Sequence, residues 1–93
     1  MEKTRLEEQN LADYASQAQI LGSLRLRIAE LEDTVAALDE NIEEADRIGL
    51  DEVVDIICKQ RNQINLNRIE LELQCNKLEK QLLEFEKISL MTR

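Results

Sequence analysis

Ninety-three residues with no proline and only two glycines, Gly22 and Gly49, leave the chain few means of interrupting a helix. Two aromatics, Tyr14 and Phe85, are too few for the core of an ordinary compact domain, and the abundant Leu, Ile, Glu, Gln, Ala, Lys and Arg are the residues of long helices and coiled coils. A net charge of −8, no histidine and two cysteines argue against nucleic-acid binding and against the usual Cys/His zinc sites.

No window offers the roughly 20 apolar residues of a membrane span, and no apolar run of the signal-peptide kind opens the sequence. A cytoplasmic protein with no membrane partner, metal or cofactor is the expectation. Cys58 and Cys75 lie about 25 Å apart on a continuous helix, too far to bond to each other, and read as buried or idle thiols. Charged residues make up 34% of the chain, which would suit disorder, but the regular apolar pattern argues for a fold.

The expected architecture is all-α: a single domain, 1–93, forming one long antiparallel, coiled-coil-like hairpin. Helix 1 is predicted over about 5–48. Near its start the apolar residues fall at Leu11, Tyr14, Ala18, Leu21 and Leu24, and the last two steps of three make a stammer that overwinds a coiled coil. Gly22 and Ser23 sit beside it. The spacing therefore predicts a bend or break at 22–23, with a bent single helix preferred over residues 1–20 folding back as a third helix.

From Leu21 the heptad is clean. Leu21, Ile28, Val35 and Ile42 fill one position of the repeat, a, and Leu24, Leu31, Leu38 and Ala45 fill the other, d. The pattern ends at "DRIGLDEVV". Gly49 suits the left-handed residue after a helix, Leu50 suits the hydrophobic position that follows, and Asp51 can cap the next helix with Glu52 in its first turn. The predicted turn is 49–51, and so tight a connection makes the two helices antiparallel neighbours.

Helix 2 is predicted over about 52–90. Its seam runs Val54, Ile57, Arg61, Ile64, Arg68, Leu71, Cys75, Leu78, Leu82, Phe85, in alternating steps of three and four. With equal rise on both helices, facing residue numbers total roughly 99. Arg61 then approaches Leu38, Asp39 and Glu40, and Arg68 approaches Leu31, Glu32 and Asp33. Arg61, Arg68, Asp33 and Glu40 are the expected register set: such pairs add little net stability but select one alignment of the hairpin.

Charge is uneven. From Glu30 to Asp55 there are eleven acids and one base, Arg47, while the remaining residues carry nine acids and eleven bases. Asp39, Glu40, Glu43, Glu44 and Asp46 form the expected acidic partner surface at the turn end, set against the plainer reading of a solvated helix exterior.

A hairpin needs one seam per helix, yet helix 2 also carries Leu66, Ile69, Leu73, Leu83 and Leu90 at positions b and f, away from helix 1. Helix 1 adds Leu26, Ala29 and Ala36 on its outer side. Apolar residues aligned along one face mark a contact. Leu66, Ile69, Leu73, Leu83, Leu26, Ala29 and Ala36 are thus the expected oligomer interface, with self-association, a dimer first, into a four-helix bundle or larger helical oligomer.

No catalytic constellation is present, since carboxylates on an exposed helical face lack a pocket and contrasting environments. The function expected is a non-catalytic protein–protein interaction module: adaptor, scaffold or small chaperone. Its expected partners are the chain itself and an unidentified second protein, for which a basic surface would match the acidic turn end. The alternative is an antagonist that captures a basic protein as an acidic DNA mimic, or holds an anionic ligand such as a nucleotide between subunits through Arg61, Arg68, Asn62, Asn65 and Asn67.

Overall fold

The computed structural model describes residues 2–91, with side chains described over 12–88. Two helices, α1 (Glu2–Arg47) and α2 (Asp51–Met91), pack side by side as an antiparallel hairpin 71 × 17 × 14 Å in extent. Among the described residues there is no strand.

The turn follows from three backbone hydrogen bonds. The Leu50 N–H donates to the Ala45 carbonyl at 2.9 Å and the Gly49 N–H to the Asp46 carbonyl at 3.1 Å, with Gly49 at φ 78°. This is the Schellman ending, in which one left-handed residue lets two terminal carbonyls of α1 find donors. The Leu50 carbonyl in turn accepts from the Val54 N–H at 3.0 Å. Leu50 therefore closes α1 and caps α2 at once. Asp51 is the first helical residue rather than the cap, and the turn is one residue earlier than the sequence predicts. Asp51 and Glu52 still lie in the first turn of α2, where negative charge meets the positive end of the helix dipole.

The seam is where the spacing puts it. None of the eight a and d residues from Leu21 to Ala45, and none of the ten from Val54 to Phe85, is exposed. Leu21, Cys75 and Leu82 form a buried cluster that Tyr14, Leu24, Ile28 and Leu78 cover, and the Tyr14 and Phe85 rings stack with centroids 5.2 Å apart. This densest packing lies toward the open end. Leu31 and Ala45 are buried further along toward the turn. Among the described residues no large side chain is fully buried, because two helices can cover only one face of each other.

No break interrupts α1 at Gly22 and Ser23, so of the two readings the single helix holds and residues 2–20 do not form a separate third helix. The reason lies one position off the predicted register. Ala18 is exposed and Gln17 is half-buried. Inward positions therefore run Tyr14, Gln17, Leu21, Leu24, Ile28, in steps of three, four, three and four. The heptad is continuous, and an amide at a d position disguises it as a stammer. Leu11, the first step of the predicted spacing, and Leu90 lie outside the described side chains.

Candidate interaction surfaces

Among the described residues, three side-chain polar contacts, Arg61 with Asp39, Tyr14 with Glu86 and Arg25 with Glu79, tie α1 to α2 along the seam's edges. Arg61 Nη1 donates to Asp39 Oδ1 at 3.0 Å, Tyr14 Oη donates to Glu86 Oε1 at 2.7 Å, and Arg25 pairs with Glu79. The Arg61–Asp39 and Tyr14–Phe85 contacts have residue numbers totalling 100 and 99, the alignment expected from equal rise. Arg25 and Glu79 lie one turn off the facing rung, a diagonal that the long arginine spans. That contact and the Tyr14 bond escape a reading confined to cations at seam positions, since Arg25, Glu79 and Glu86 all flank the seam at e.

Of the four register residues, only Arg61 crosses the seam, and it meets Asp39 rather than Glu40. The hydrogen bond to Asp39 raises the Arg61 pKa, and the opposite charge of Asp39 adds to it. Arg68 does not reach Asp33. It turns along α2, donating to Glu72 at 2.7 Å and to Asn65 at 3.4 Å. An i, i+4 carboxylate needs no reach across the groove, and the half-buried Asn65 and Glu72 flank Arg68 on its own helix. Among the described residues, no ion pair joins Asp33 or Glu40 to either arginine.

At the turn end, Asp39, Glu40, Glu43, Glu44 and Asp46 are all exposed. Asp39 is taken by Arg61, and Glu44 pairs with Arg47 three residues on. Glu40, Glu43 and Asp46 face solvent.

The outer apolar residues are exposed as a set: Leu66 and Leu73 at 56% each, Ile69 at 44%, Leu83 at 57% and Leu26 at 65%. Ala29 and Ala36 are exposed on the outer side of α1. On α2, Leu66, Ile69 and Leu73 step by three and four residues, so they form one stripe on the side opposite the seam. Ile56, Val53 and Ile88 are further exposed apolar side chains of α2.

A hollow on α1 is lined by Ser16, Gln19, Ile20, Ser23 and Leu24, with no titratable side chain among them. Among the described residues, no three Cys, Asp or Glu side chains converge to hold a metal. No helix among them is long and apolar enough to cross a membrane. Both cysteines are free, Cys75 buried and Cys58 half-buried. No protein family, curated protein or solved structure matches the chain.

Proposed function

We propose that the chain is a non-catalytic protein–protein interaction module that works as a self-associated helical hairpin. The observation that carries this reading is the stripe Leu66, Ile69 and Leu73, exposed at helical spacing on the face that α1 leaves bare. Burying such side chains is worth on the order of 1.5–3 kcal/mol each, and the hairpin by itself fully buries no large side chain among the described residues. Leu66→Glu with Leu73→Glu places charge in the stripe without touching the seam. Sedimentation of the double variant should give the mass of one chain, with helicity retained. An unchanged mass would remove the stripe from the interface.

A second reading, capture of a basic protein by the turn end, draws support from Glu40, Glu43 and Asp46, which leave their charge unspent. Salt-sensitive capture of a basic partner, lost on changing those three to Gln or Asn, would establish it. The nucleotide-binding alternative is weaker, because Arg61 and Arg68 each have a carboxylate partner within the hairpin.

A further inference from the structure

We propose that the occupant of the outer stripe is a second copy of this chain, its α2 antiparallel to the first about a two-fold axis beside Ile69. The inference rests on self-association through the stripe and supplies the partner's orientation and register.

The first observation is a palindrome in the exposed stripe. Outward from Ile69, the first three pairs of b and f positions of α2 read alike in both directions, Leu66 and Leu73, then Asn62 and Asn76, then Lys59 and Lys80, all exposed; at the fourth, Asp55 stands opposite Leu83. A two-fold interface must be complementary to itself, so that when residue i meets j, j also meets i. Two antiparallel α2 helices whose facing numbers total about 138 bring like residues together at each of these three steps. Leu66 meets Leu73 of the second copy, Ile69 meets its own counterpart, and the Asn62 and Asn76 amides can exchange hydrogen bonds. At the margin, exposed Ile56 meets exposed Leu83. Lys59 faces Lys80, but Glu84 and Asp55 of the opposing copy stand about one turn, 5–6 Å, further along, within reach of a lysine stem.

The second observation is charge. Parallel pairing would set the acidic first turn of α2, Asp51 and Glu52, with Asp55 after it, beside the same three acids of the second copy. Antiparallel pairing instead sets exposed Glu52 against exposed Lys87 of the opposing copy, a pair whose numbers total 139. Like charges closer than the Debye length, about 8 Å at physiological salt, oppose the first arrangement. The axis also falls within about two residues of the midpoint of α2 (Asp51–Met91), so the two rods overlap along nearly their whole length.

Because the stripe lies opposite the seam, the four helices form a row, α1, α2, α2, α1, rather than the closed four-helix bundle expected from the outer apolar residues of both helices. Leu26, Ala29 and Ala36 then stay on the outer surface of the assembly.

Charge placed at Asn62 and Asn76 tests the register, since both side chains are exposed and neither lies in the seam. Sedimentation equilibrium of the full-length chain should give a dimer. N62D/N76K sets Asp against Lys twice in the proposed register and should bind as tightly as wild type or tighter. N62K/N76K and N62D/N76D set like charges together twice and should weaken the dimer at least about tenfold, with helicity unchanged by circular dichroism. Parallel pairing predicts instead that N62D/N76K weakens like the other two, and that result overturns the proposal. A dimer indifferent to all three variants overturns the register while leaving self-association standing. A wild-type monomer at every concentration overturns both.

Discussion

Arg61 crosses the hairpin seam to Asp39, whereas Arg68, one heptad further along the same helix, folds back onto its own Glu72. Two arginines at equivalent seam positions thus do different work. The first fixes α2 against α1, and the second is a charge kept near the core by a local partner. Arg68→Leu should therefore extend the apolar seam and leave the hairpin as stable or more stable by about 1 kcal/mol, read from urea unfolding. Arg61→Leu should change stability by less than about 1 kcal/mol, because its pair is half in solvent, but should broaden the alignment between the helices. Paired spin labels on the two helices would read that as a wider distance distribution in the Arg61 variant alone.

Tyr14 is the chain's sole tyrosine, so its ionisation can be followed directly by absorbance. Its hydroxyl donates to Glu86, and that hydrogen bond, with the nearby negative charge and a smaller contribution from burial, raises its pKa above the ordinary value of 10.0. The folded state thus prefers the protonated phenol. The contribution to stability is fully present below pH 10.0 and is lost as pH rises through the raised folded value. The tyrosinate midpoint should lie above 10.0 in the native protein and fall toward it in Glu86→Gln. Identical midpoints in the two proteins would show that the bond does not form.

The two glycines should respond oppositely to alanine. Gly49 sits at φ 78°, and a methyl group there meets nothing within 4 Å, so the cost of Gly49→Ala is backbone strain alone, roughly 1–2 kcal/mol. Gly22 lies in the middle of α1 with equally open surroundings, and Gly22→Ala should stabilise by about 0.5–1 kcal/mol. Thermal unfolding of the pair would check both signs, and a loss of stability in the Gly22 variant would argue for a bend there.

Gln17 holds a seam position with a polar side chain. Gln17→Leu should raise stability by about 1 kcal/mol, whereas Ala18→Leu, one residue further on, adds an exposed side chain and should change little. Urea unfolding of the two variants checks the order, and the reverse result would restore the stammer and the bent helix.

The turn and the seam were legible because each rests on residues with narrow uses. Only glycine enters the left-handed region freely, and a seven-residue apolar repeat over four heptads is produced by little besides a helix seam. The seam before Leu21 is read one position off because Ala18 imitates a seam residue and Gln17 conceals one; periodicity weighs residue type, whereas burial is decided by where the helix points. The partners of Arg68 were missed for another reason. Facing rungs tell which residues are near, but a flexible arginine chooses among near acids by local geometry, and an i, i+4 carboxylate competes well with one across the groove. Self-complementarity of the outer stripe was written in the sequence as well, but it acquires meaning only once α1 is known to cover the opposite face.

The stacked rings of Tyr14 and Phe85, with Leu21, Cys75 and Leu82 beside them, sit far from the covalent turn. The hairpin is therefore clasped at both extremities, by the chain itself at one and by its tightest cluster toward the other. A pulling force on the termini meets its strongest resistance early, and once that clasp gives way the thinner middle, with its arginines and half-wet leucines, has little left to arrest the unzipping.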